Sequence, residues 1–129
     1  MSERKAVQYT WRDVPSEQVT PLLSRRLVTG DRVMLAEVKL AKGCPVPGHR
    51  HEHEQLAFVM KGALRFWVGE NDAEELVLRE GQVLHLPSNV WHRADALEDS
   101  VVLDVFSPPR EDWLNKTDAY LRASAEPKQ

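Results

Sequence analysis

The chain has little cysteine, no long apolar run and no excess of charge of either sign. Its one cysteine, Cys44, has no intramolecular partner, so a disulfide framework is excluded and a packed core must carry the fold. No apolar stretch reaches the ~20 residues that a membrane-spanning helix needs. Met1-Ser2-Glu3-Arg4-Lys5 is not followed by the apolar core of a signal peptide, so the cytoplasm is the expected location. Lys and Arg total 17 against 20 Asp and Glu, and a formal charge of -3 is too small to favour nucleic acid or a membrane surface. No repeat or low-complexity tract is visible. With no DNA-binding segment either, the expected partner is a small molecule or another subunit.

What is present suits an ordinary globular protein. The 129 residues, 42% hydrophobic and 29% charged, match one domain over 1–129 that can bury an adequate core. Short segments rich in Val, Leu and Phe, separated by Gly, Pro, Asn and Asp, predict an all-β sandwich or barrel. Arg32 to Leu40 reads as a strand with Met34, Ala36, Val38 and Leu40 on one face and Glu37 and Lys39 on the other. Leu56 to Met60, a tight turn at Lys61-Gly62, and Leu64, Phe66 and Val68 together resemble a hairpin. Further strands are expected over Glu75 to Arg79, Val83 to Leu86 (stopped by Pro87) and Val101 to Phe106, with a turn at Gly69-Glu70-Asn71-Asp72. The core is expected over about 31–107. Residues 1–30 read as an irregular lead-in with one or two short strands.

Ser107 can cap a helix over about 108–122, where Pro108, Pro109, Glu111 and Asp112 suit a first turn. Trp113, Leu114, Thr117, Tyr120 and Leu121 recur at helical spacing, which predicts a helix laid over the barrel rather than an aromatic binding box. Residues from Ala123 onward read as frayed.

Chemistry concentrates near the middle of the chain. In Gly43-Cys44-Pro45-Val46-Pro47-Gly48-His49-Arg50-His51-Glu52-His53-Glu54-Gln55, three of the five histidines alternate and a glutamine continues the series. On a strand these four side chains would form one row. Neighbouring imidazoles in such a row can converge on one ion at roughly 2.1 Å. His92 is the candidate third ligand, and Gln55 can offer an amide oxygen. Neutral ligands leave the ion's charge uncompensated, which favours polarising a carbonyl, hydroxyl or carboxylate. The bland reading is a solvated edge strand. His53 divides between a supporting or substrate-contacting role and a structural one; His85 reads as a packing or interface residue and Cys44 as a small loop residue.

A second motif, Gly81-Gln82-Val83-Leu84-His85-Leu86-Pro87-Ser88-Asn89-Val90-Trp91-His92, stands in register with the first. Together they resemble the two signatures of the cupin family, with Gly43, His49, His51, Gly62, Gly81, Pro87 and His92 at signature positions. Gln55 stands where a glutamate is usual and Asn89 where a glycine is. The resemblance implies a double-stranded β-helix, or jelly-roll barrel, with one divalent ion (Ni, Mn, Fe or Zn) held by His49, His51, Gln55 and His92.

Asp104 interrupts Val101-Val102-Leu103-Asp104-Val105-Phe106, and an aspartate in a strand apolar on both faces must be paired or functional. It either lines the barrel as a general acid or base, or forms a salt bridge, with Arg110 as one partner, or faces outward. His-x-His-x-His-Glu-Gln followed by Asp-x-Phe-Ser-Pro-x-Arg further resembles the KdgF-type cupins, which help convert unsaturated uronates to linear keto sugars. That resemblance implies Asp104, Phe106 and Arg110 as the catalytic set, with Asp104 moving a proton, Phe106 forming an apolar wall and Arg110 pairing bidentately with a substrate carboxylate. Glu52 departs from the proline of that pattern. Two other readings are a metal-dependent dioxygenase of small diols or diketones, and a non-catalytic module that binds a metal or small ligand. A homodimer is expected, covered at the lead-in strands and at Trp67 or Trp91.

Overall fold

The structure is a computed structural model that describes residues 5–122, so the fraying expected from Ala123 onward lies outside the described residues. Ten strands follow in chain order: β1 (Glu17–Thr20), β2 (Leu23–Thr29), β3 (Met34–Leu40), β4 (Pro45–His49), β5 (Glu54–Lys61), β6 (Ala63–Val68), β7 (Glu74–Arg79), β8 (Val83–Leu86), β9 (His92–Ala96) and β10 (Ser100–Ser107). They form two antiparallel sheets, one ordered β1-β2-β3-β10-β5-β8 and the other β4-β9-β6-β7. The fold is the all-β jelly roll expected from the sequence. Among the described residues no helix is long and apolar enough to cross a membrane.

Alternation builds the core. On β3, Met34, Ala36, Val38 and Leu40 are all buried while Leu35 and Lys39 face out, because successive side chains leave opposite sides of a pleated strand. On β10, Ser100, Val102, Asp104 and Phe106 turn inward, so the aspartate takes its direction from the apolar residues two positions away.

Three local expectations change. First, β5 and β6 are not a hairpin: they lie in different sheets, and the chain turns a corner between them. Gly62 makes that corner with φ +89°, and a Cβ there would collide with the Ser100 side chain and come within 2.5 Å of the Asp99 carbonyl oxygen. A local pattern of two alternating strands around Lys-Gly reads the same whether the second strand folds back or crosses over. The hairpin is instead β6 with β7, across the Gly69 to Asp72 turn.

Second, the lead-in does hold two strands, within the one or two expected, but it is not irregular: they form a β1–β2 hairpin, and β2 pairs along the whole of β3 from Leu23 opposite Leu40 to Thr29 opposite Met34. Third, the tail is helical but interrupted, as α1 (Glu111–Leu114) and α2 (Ala119–Arg122). Ser107 does not cap it. That residue ends β10 and its hydroxyl donates to the Arg32 carbonyl at 2.7 Å, while α1 starts after Arg110 with no side-chain cap. The break falls at Lys116, whose φ of +59° no continuous helix allows. It lets Asp118 turn into the barrel, where both its oxygens meet the Arg25 guanidinium at 2.8 and 3.2 Å.

Candidate metal centre and substrate cavity

The histidine row is not one strand. His49 ends β4, Glu54 begins β5, and residues 50–53 carry the chain from the four-stranded sheet to the six-stranded one. The crossing nevertheless gathers the rings. His49 lies opposite His92 in the β4–β9 register, and His51, within the bend, swings in beside both. Ring centroids are 4.3 Å apart for His49 and His92, 5.1 Å for His51 and His92, and 5.3 Å for His49 and His51. Ligating atoms of the three fall within 4.8 Å of one another, a spread that one ion can span.

Each ring is oriented in the same way. Nδ1 of His49 donates to the Pro47 carbonyl at 2.8 Å, that of His51 to His53 at 2.9 Å and that of His92 to Val90 at 2.9 Å. A backbone acceptor on Nδ1 fixes the tautomer and leaves the Nε2 lone pair for a metal. Nε2 of His51 is buried with no hydrogen-bond partner among the described residues, which is costly unless something binds it. Burial, with the neighbouring His92, lowers the His49 pKa to about 3; burial, with Arg110, lowers that of His51 to about 4. Burial also lowers His92. All three are therefore neutral at physiological pH, the form a metal ligand requires. The donor set fits a divalent ion.

Gln55 is the second residue of β5 and is buried. Its Nε2 donates to Oδ1 of Asp104 at 2.9 Å, which leaves Oε1 as the atom it can offer to an ion. A glutamate in its place would set a second carboxylate against Asp104. Asp104 itself takes the inward of its alternative directions. Burial raises its pKa to about 6, against the lowering pull of the Gln55 hydrogen bond and of Arg110. Its salt bridge with Arg110 is not formed; Arg110 pairs with Asp112 instead, Nε to Oδ1 at 3.0 Å and Nη2 to Oδ2 at 2.9 Å.

His49, His92, Gln55, Asp104 and Arg110 form the polar part of the wall of one cavity. Phe106 lies beside them, its ring 5.9 Å from His51. The rest of the wall is apolar, including Val38, Leu64 and Phe66. The tail contributes Trp113, Tyr120 and Leu121, so aromatic residues whose helical spacing predicted only packing over the barrel line the cavity. Tyr120 stacks on His49 with centroids 4.2 Å apart and planes 24° apart, and Trp113 meets Phe106 edge-on at 4.9 Å. Neither residue carries a sequence signal apart from its helical spacing, which packing explains equally well.

The remaining candidates sort by contact. His53 is buried and places Nε2 3.2 Å from Glu111 on α1, tying the crossover to the tail. His85 is exposed and lies 2.7 Å from Glu54 across the β5–β8 edge. Cys44 is buried, and burial together with Asp95 raises its thiol to about 11, which leaves it protonated and unreactive.

Comparison with known proteins agrees with this geometry. Residues 36–106 match the cupin domain model. The pectin degradation protein KdgF of Dickeya dadantii is 31% identical over 105 residues, covering 79% of this chain and 93% of that protein. Among solved structures, KdgF from Halomonas sp. superposes with a TM-score of 0.77 at 29% identity, covering 84% of this chain and 99% of that one. An RmlC-like cupin from Shewanella frigidimarina gives 0.75 at 25% identity, covering 88% and 99%. With both signatures in place, three histidines converging inside a jelly roll, and a KdgF relative matched over most of both chains, this chain belongs to the cupin family and within it to the KdgF group.

Proposed function

We propose that the protein is a metal-dependent cupin enzyme of the lyase or isomerase type that opens an unsaturated uronate ring to a linear keto sugar. The observation that supports this most is Asp104, a buried carboxylate in the cavity wall whose position is set by Gln55. In such a sugar the C4–C5 double bond carries both the ring oxygen and the carboxylate. Opening removes the proton of the anomeric hydroxyl, breaks the bond from C1 to the ring oxygen, forms an aldehyde at C1 and leaves an enolate at C5. A proton returned to C4 completes the ketone, with no atom gained or lost.

Asp104 suits both proton movements, because a pKa near 6 lets it accept a proton and release it again near neutrality. Arg110, buried and permanently charged, supplies the cation for the substrate carboxylate, and Phe106 closes the wall against water. A divalent ion (Ni, Mn, Fe or Zn) held by His49, His51, His92 and the Gln55 amide oxygen would supply Lewis acidity towards the oxygen on which charge develops.

The test combines elemental analysis of protein purified without added metal with turnover of unsaturated galacturonate and mannuronate. Asp104→Ala should lower kcat by about 10²-fold or more while metal content is unchanged, and His51→Ala should lose the metal. Fully metallated protein without turnover would reject the reading.

The reading extends to a homodimer formed through the outer face of the six-stranded sheet, where Leu35, Leu56, Phe58, Met60 and Val83 are exposed. Among the described residues no exposed large hydrophobic lies on β4, β6, β7 or β9, and Trp67 there is already engaged, under Arg93 at 3.7 Å and bonded to Glu75. Sedimentation should give twice the chain mass, reduced to one by Phe58→Asp. A monomer across the micromolar range would count against it.

A further inference from the structure

Among the described residues, two proton donors in the cavity wall have nothing to donate to. The Nε–Nη2 edge of Arg110, the edge best shaped for a carboxylate, is given to Asp112, so the bidentate substrate pairing that the KdgF resemblance implies is not available there. The second Nη2 proton goes to the Tyr120 hydroxyl oxygen at 3.2 Å. That leaves Nη1 without a partner among the described residues. The Tyr120 oxygen also accepts from Trp113 Nε1 at 3.2 Å, so two N–H groups point at it and its own proton must be directed elsewhere. Among the described residues that proton makes no hydrogen bond, to Asp104 or to any other acceptor.

The phenol is held in place. Its ring lies flat on His49, and its oxygen is bracketed by Arg110 and Trp113. Two donors converging on a hydroxyl oxygen polarise the O–H bond and strengthen the bond it can make. Because Nη2 touches the hydroxyl, Nη1 of the same guanidinium lies near the phenolic oxygen, and Arg110 and Tyr120 line the cavity together with His49, Gln55 and Asp104.

We propose that Tyr120 O–H and Arg110 Nη1 form a two-point clamp for the substrate carboxylate, one hydrogen bond to each oxygen, with Asp112 holding the guanidinium edge-on. The clamp rests on the carboxylated-sugar reading above. It makes α2 part of the binding site: Tyr120 is the residue that lets one guanidinium, already committed on its other edge, recognise a planar two-oxygen group.

The test compares galacturonate with galactose, which carries a hydroxymethyl group where galacturonate carries the carboxylate, by calorimetric titration of metal-loaded wild type and Tyr120→Phe. Phenylalanine keeps the stack on His49 and removes only the hydroxyl. The variant should bind galacturonate about tenfold more weakly, with galactose binding and metal content unchanged. On unsaturated galacturonate, KM should rise by about the same factor with kcat within about twofold. Should Tyr120→Phe melt early because the Trp113 N–H is left bare, the Trp113→Phe, Tyr120→Phe double variant removes that donor as well and should show the same selective loss. Equal galacturonate affinity in wild type and a folded variant, or a fall in kcat with KM unchanged, would overturn the clamp. A wild type that prefers galacturonate to galactose, and loses the preference in the variant, but turns over no unsaturated uronate, would keep the clamp and reject the reaction.

Discussion

At the scale of single residues, the Gln55–Asp104 pair governs the site. A buried carboxylate is costly when ionised, and one amide N–H at 2.9 Å offsets only part of that cost. The ordinary Asp pKa of 3.8 becomes about 6 here, so between those values the folded state binds a proton that the unfolded chain has released. Stability is therefore lost as pH rises through that window. Asp104→Asn, which can still accept from Gln55, should raise the stability of metal-free protein at pH 7.5 by roughly 1–3 kcal/mol and by less at pH 4.5, while abolishing turnover. Urea denaturation at the two pH values checks this, and a variant less stable than wild type at pH 7.5 would contradict it.

At the scale of elements, the two short helices cannot persist alone, since each is about one turn long. They are held by the barrel. Arg25 of β2, 2% exposed, meets Asp118, 1% exposed, with Trp113 stacked 4.4 Å from its guanidinium. Glu17 of β1 joins through Arg122 at 3.0 Å. Removing Asp118 leaves the buried Arg25 only the longer contact with Glu17 at 3.5 Å, so Asp118→Ala should cost about 3 kcal/mol in denaturant unfolding. Arg25→Met with Asp118→Leu should recover most of that loss. Because α2 carries Tyr120, Asp118→Ala should also weaken galacturonate binding, and unchanged stability would show that the tail is anchored elsewhere.

At the scale of the whole molecule, proton binding at the site sets the response to pH. For His49, His51 and His92 the folded pKa lies below the ordinary 6.5, so the unfolded chain binds protons that the native state refuses. Their contribution is present above pH 6.5 and is lost as pH falls towards 4, opposite in sign to that of Asp104. Three groups outweigh one, so metal-free protein should gain stability from pH 4.5 to 7. Divalent metal affinity should also persist below the ordinary histidine value of 6.5, because burial favours the neutral form of all three rings. Calorimetric titration with Zn²⁺ or Ni²⁺ across pH 4–7.5 checks this. A drop in affinity centred near pH 6.5 would mean that the histidines titrate as if exposed.

Much of this was readable in the sequence by itself. Strand periodicity depends on the polarity of neighbours two apart, so β3 and β10 and their buried faces were legible, as were His49, His51 and His92 from the spacing of two motifs. Tertiary structure decided what local pattern leaves open. It placed β5 and β6 in separate sheets, because Gly62 turns a corner that looks like a hairpin in one dimension. It turned Asp104 inward beside Gln55, across two strands 49 residues apart in the chain. It also brought Arg25 to Asp118 and Tyr120 to His49, contacts between residues whose sequence separation exceeds any helical or strand period. The sequence alone determined which histidines are available and how the strands alternate; only closure of the barrel and docking of its tail decided which groups face each other.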